Sequence, residues 1–177
     1  EVTETTITLS WEHVDYSDEN ILMRDGDEVY RGAELKFTDT GLTPNTSYRY
    51  SLVAINKSGT SEAAILDAQT RLPIPRQPEL VLESATETSI ILTWDEVDYA
   101  EEYLLMRGEV EVYRGPDLKF EDTDLSPNAE YSYTLVAINA RGTSEEAAIT
   151  ATTALPVPST PNLQIEATSE TSISLSW

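Results

Sequence analysis

The chain of 177 residues has no cysteine, a single histidine (His13) and three lysines (Lys36, Lys57 and Lys119). Without cysteine there can be no disulfide, no thiol nucleophile and no cysteine-ligated zinc. No apolar run approaches the roughly 18 residues that a bilayer-spanning helix needs, so direct membrane insertion is not expected. Basic residues are scarce as a class: 11 stand against 32 acidic ones, for a net charge of -21. A field of that sign repels phosphate backbones and anionic lipid surfaces, so nucleic acid is not expected as a partner. Catalytic signatures are missing too: the sequence has no HExxH, no P-loop, no glycine-rich dinucleotide loop, and no serine–acid pair that can be assigned to His13. The expectation is a non-enzyme that uses no cofactor.

What is present is repetition. The phrase TETTITLSW ends at Trp11, TETSIILTW at Trp94 and SETSISLSW at Trp177, so successive tryptophans recur every 83 residues. Residues 11–93 laid over 94–176 agree at roughly half of all positions without a gap. Periods of about 20–50 residues suggest solenoid turns that cannot fold alone. A period of 83 is the size of a small self-sufficient domain.

Within each repeat the apolar period is two. Ile7, Leu9 and Trp11 share one strand face, as do Ile90, Leu92 and Trp94. Tyr48, Tyr50, Leu52 and Ala54 repeat the pattern, matched by Tyr131, Tyr133, Leu135 and Ala137. Asp25-Gly26 between alternating runs predicts a tight hairpin turn, and Gly108 marks the corresponding turn in the second repeat. No stretch sustains a 3.6-residue period with caps. Short strands separated by regular turn signals predict an all-β sandwich.

The stretches GLTPNTSYRYSLVAINKSGTSEAA and DLSPNAEYSYTLVAINARGTSEEAA resemble the second half of a fibronectin type III domain. The resemblance covers essentially the whole chain, in a wording closest to bacterial extracellular versions, and implies tandem immunoglobulin-like β-sandwiches joined by short proline-rich linkers. It makes Trp11 and Trp94 the core tryptophans, with Leu42, Pro44 and Tyr48 as one tyrosine corner and Leu125, Pro127 and Tyr131 as the other. The expected organisation is a domain at 1–72 lacking its first strand, a complete domain at 77–155, and the first two strands of a third repeat at 160–177. Prolines 73, 75 and 78 recur at 156, 158 and 161, which favours extended, semi-rigid connectors.

For function, the resemblance implies an extracellular or cell-surface location and a non-catalytic structural, spacer or adhesion role within a longer array, partnered by neighbouring repeats. Two alternatives stay open. One is a self-assembling surface filament in which residues 162–177 of one copy complete the first domain of the next. The other is an accessory module of a secreted carbohydrate-active enzyme, for which Tyr16 and Tyr99 are the repeated aromatic candidates. The loops after the tryptophans are acidic, and Asp15, Asp18 and Glu19 correspond to Asp98, Glu101 and Glu102. These carboxylates are either simply solvated or the start of a metal site, with Ca2+ as the cation that oxygen ligands favour. Arg-Gly-Asp is absent, so integrin-type binding does not carry over.

Overall fold

A computed structural model describes residues 1–177, and its regular structure is all strand. In the first repeat, β1 (Thr6–Ser10) pairs antiparallel with β4 (Lys36–Thr40). The facing sheet runs in the order β3 (Asp27–Gly32), β2 (Glu19–Arg24), β5 (Ser47–Asn56), β6 (Gly59–Thr60), with β7 (Ala64–Gln69) also paired to β5. The second repeat copies this with one addition. Here β8 (Leu80–Ala85) pairs with β9 (Ile90–Trp94), which pairs with β12 (Lys119–Asp122). The opposing sheet is β11 (Val110–Gly115), β10 (Glu102–Arg107), β13 (Glu130–Asn139), β14 (Gly142–Thr143), with β15 (Ala147–Thr152) on β13. Strands β16 (Gln164–Thr168) and β17 (Ile173–Ser176) form a separate two-stranded ribbon.

The hairpin between β2 and β3 turns on Asp25 and Gly26, at φ 52° and 98°. Positive φ at both central residues gives the twist that matches the flanking strands, and Asp-Gly tolerates it. The second repeat reaches the same end with Gly108 at φ 58° as the first central residue. Each hairpin shifts register at one step, between Leu22 and Met23 and between Leu105 and Met106.

Alternation delivers the core. Ile7, Leu22, Leu42 and Tyr50 are buried in the first repeat, with Leu9, Trp11, Tyr30 and Phe37 packed against them. In the second, Ile90, Leu92, Leu105, Tyr133 and Leu135 are sealed completely. The difference traces to β8. Beside it Leu92 and Trp94 are buried, whereas the equivalent Leu9 and Trp11 stay half-buried. Before β1 the first repeat has only the bridge between Val2 and Ile7. A trough of about 170 Å³ lined by Leu9, Trp11, Leu22, Leu52 and Leu66 remains there.

The chain resolves into two compact units. One is Glu1–Arg76 with Val97–Glu101 and Ala137–Glu145; the other is Gln77–Glu96 with Glu102–Val136 and Glu146–Trp177.

Candidate functional site

Each repeat carries a buried polar triad that sequence reading did not assemble. In the first, Arg24 Nη1 donates to both carboxylate oxygens of Asp39, at 2.9 and 3.0 Å. The Tyr50 hydroxyl donates to Asp39 Oδ2 at 2.8 Å. Arg107, Asp122 and Tyr133 repeat the arrangement at 2.8, 2.9 and 2.7 Å. Arg24 and Arg107 also lie over the rings of Tyr48 and Tyr131, about 5.7–5.8 Å from the centroids. Burial, then the hydrogen bond to the carboxylate, pushes the Tyr50 and Tyr133 phenols upward from the ordinary tyrosine range. An arginine that reaches from β2 to β4 ties the two sheets together. The carboxylate and the phenol are buried and paired, while the arginines keep 30% and 32% of their side chains exposed, so the triad acts as a structural tie between sheets.

Aromatic rings fill the space beside it. Trp11, Tyr30 and Phe37 stack in series at 5.7 and 5.4 Å, and Trp94, Tyr113 and Phe120 do so at 5.8 and 5.7 Å. The indole N–H groups of Trp11 and Trp94 are buried with no acceptor.

The carboxylates considered for a metal do not converge. Glu19 is held by Arg31 at 2.8 Å, and Glu102 by Arg114 at 2.9 Å. Asp18 and Glu101 are fixed through their backbone, each N–H donating to Ile55 O and Ile138 O at 2.8 Å. The result is that Asp15, Asp18 and Glu19, like Asp98, Glu101 and Glu102, form no group of three or more ligating side chains placed to hold a metal ion. Arg31 stands opposite Ile21 and Arg114 opposite Leu104, so each arginine reaches Glu19 or Glu102 diagonally, two residues along the neighbouring strand. His13 is exposed on its loop.

What the loops do build is a cleft. The turn at 14–17 is closed by the Ser17 N–H and hydroxyl, both donating to Val14 O. Tyr16 stands in the left-handed region at φ 66°, with 90% of its surface exposed. Asn56 clamps this turn: its Nδ2 donates to Tyr16 O at 2.8 Å, while its Oδ1 accepts from Ser58 N. Between this turn and residues 54–61 lies an open cleft of about 300 Å³. Tyr99, at φ 64°, repeats the strained conformation in the second repeat.

These features can be set beside known proteins. No family model matches the chain. A two-domain fibronectin type III segment from chicken tenascin superposes with a TM-score of 0.51 at 21% identity, covering 86% of this chain and 95% of that one. Exoglucanase B of Cellulomonas fimi is 31% identical over 207 aligned residues, covering 99% of this chain and 18% of that protein. Usherin of Mus musculus is 32% identical over 127 residues, covering 69% of this chain and 2% of that protein. The chain carries the fibronectin type III fold in tandem.

It spans less than a fifth of the length of either curated relative. The fibronectin type III corner is in place twice. Tyr48 OH accepts from Thr43 N at 2.8 Å and Tyr131 OH from Ser126 N at 2.9 Å, each bond pinning the crossover that leads into the long strand. Of the fibronectin type III tryptophans, Trp94 is the sealed one, and Trp11 is half-buried beside the trough.

Proposed function

We propose that the chain is a non-catalytic spacer segment of an extracellular tandem array, organised as repeats at 1–72, 77–155 and 160–177. The observation that carries this reading is duplication of structural devices, with no duplication of chemistry. The Arg–Asp–Tyr triad, the tyrosine corner and the aromatic stack all recur at 83-residue spacing. Such devices hold two sheets together and bring no set of catalytic side chains with them. Several relatives are likewise matched over long, multi-repeat stretches. The test is single-molecule pulling on the chain held by both ends. A spacer gives separate unfolding events of comparable force; collapse of both repeats in one weak step would remove the reading.

The accessory-module alternative draws support from one feature, the exposed Tyr16 at a strained backbone position. Strain held at a surface aromatic is a place where binding is commonly found. The match to an exoglucanase keeps a glucan in view as the ligand to try. Pull-down on insoluble cellulose, with Tyr16→Ala as the control, decides it. The filament alternative draws support from uncovered apolar side chains on the β16–β17 ribbon: Ile165, Ile173 and Trp177 are all more than half exposed. Electron microscopy across a concentration series tests for fibres.

A further inference from the structure

Residues 71–79, which lead into β8, belong to no strand, so this connector takes no order from a sheet ladder. Prolines at 73, 75 and 78 fix their own φ angles and favour an extended chain. They also remove three N–H groups, which leaves the carbonyl oxygens as the main backbone handles of the segment.

Those carbonyls are held by the turn between β13 and β14. Asn139 is buried and its whole carboxamide is engaged. Its Oδ1 accepts from Arg141 N at 2.8 Å and Gly142 N at 3.2 Å, and its Nδ2 donates to Tyr99 O at 2.9 Å. Three bonds thus orient the group, and its remaining N–H is aimed at Pro73 O, which Nδ2 reaches at 2.8 Å. Arg141 Nη1 donates to the preceding carbonyl, Leu72 O, at 3.2 Å. Ile74 Cδ1 lies 3.7 Å from where a Cβ on Gly142 would stand, so the isoleucine rests against a bare glycine. Pro75 is buried beyond it. Residues 72–76 accordingly fall in one compact unit with Ala137–Glu145.

We propose that Asn139 and Arg141 are positioning residues, a two-pronged clamp that holds 72–75 in a single conformation. The order of the connector comes from the clamp and is lost when the clamp is removed, although every proline remains. Asn139 is suited to the task because it is pre-aimed: its orientation is set by its own turn and by Tyr99 O, so little freedom is spent in gripping Pro73 O. The inference goes beyond the spacer reading and stands without it.

The test is limited tryptic digestion of the whole chain, with amide relaxation at Leu72 and Ile74 as a second measurement. Arg71 and Arg76 flank the segment, and trypsin cuts after them only where the chain opens locally. The unsubstituted chain is expected to resist cleavage at 71–72 and 76–77, with order parameters of about 0.85 at residues 72 and 74. Arg141→Ala should speed cleavage there roughly fivefold, the worth of one hydrogen bond. Asn139→Asp keeps the two accepted bonds and loses both donated ones, and should speed it more than about tenfold. The bonds after Arg24 and Arg107, at the ends of β2 and β10, should stay protected in both variants, which separates release of the connector from unfolding of a sandwich. Should Asn139→Asp unfold its sandwich, Arg141→Ala decides alone. Pro73→Ala keeps the carbonyl at position 73 and should leave the segment protected. The proposal is overturned if the unsubstituted chain has order parameters below about 0.6 at 72 and 74, or if Arg141→Ala is cut at the original rate. It is also overturned if Pro73→Ala releases the segment as far as the clamp variants do. Separate unfolding events under force are expected with or without the clamp, so failure here and failure of the spacer reading remain distinguishable.

Discussion

Tyr50 donates its phenolic hydrogen to Asp39 at 2.8 Å, joining the centre of β5 to β4 on the opposite sheet, while Arg24 occupies the same carboxylate from β2. A buried carboxylate left without partners is costly, so the three side chains act as one device. Replacing Tyr50 by Phe removes one bond and leaves the arginine pair. The expected loss is about 1.5–3 kcal/mol, the range for hydrogen bonds to charged groups, read from urea unfolding of the chain. Asp39→Ala should cost more, because it strands Arg24 and the tyrosine hydroxyl together.

The same phenols set an alkaline limit. Burial raises their folded-state pKa above the unfolded value of 10.0, so the folded state prefers the neutral form. Their contribution is complete below about pH 10 and declines as pH rises past it towards the raised value. Melting temperature should therefore be flat with respect to these groups near neutrality and fall above pH 10. In the Tyr50→Phe, Tyr133→Phe double variant that fall should be shallower.

Trp94 has a sealed indole whose N–H finds no acceptor. Trp94→Ala should cost about 3–5 kcal/mol as a large-to-small core change. Trp94→Phe loses volume but also removes a buried unpaired donor, which is itself worth about 1–3 kcal/mol. The phenylalanine variant is expected to recover most of the loss. Equal destabilisation by the two changes would contradict this account of the indole.

Gly115 lies under a ring. A Cβ added there would come within 2.7 Å of the Tyr113 hydroxyl, which accepts from Asp117 N at 2.7 Å and is stacked between Trp94 and Phe120. Gly115→Ala should displace that ring and cost about 1–3 kcal/mol by overpacking. Restoration of stability in Gly115→Ala combined with Tyr113→Phe would confirm the contact.

Tyr16 is exposed at φ 66°, a conformation in which a bulky residue is strained. Its backbone carbonyl, and not its ring, is what Asn56 holds. Tyr16→Asn should therefore raise stability by up to about 1 kcal/mol with the turn intact. Thermal melts of the two chains check it.

Much of the sandwich was legible before any coordinates. Alternation placed Ile7, Tyr50 and Leu92 on inner faces, and Asp25-Gly26 marked a hairpin, because side-chain direction along a strand and positive φ in a turn are local properties. The tyrosine corner was legible for the same reason: Tyr48 reaches back only five residues. The acidic loops were less legible, since a run of carboxylates says nothing of which arginine lies across the sheet. Arg24 and Arg107 stand among nearby carboxylates in the sequence, yet they reach Asp39 and Asp122, 15 residues away.

The sequence by itself determined the repeat, the strands and their turns, and hence the fold, since each follows from interactions within a few residues. Only the tertiary structure decided which equivalent residues differ. Trp94 is sealed and Trp11 half-covered, Asn139 bonds the carbonyl of Pro73, and Glu19 pairs with Arg31 across the sheet. Near-identical words take different environments because burial and pairing depend on what another strand or segment lays over them, and no local pattern encodes that.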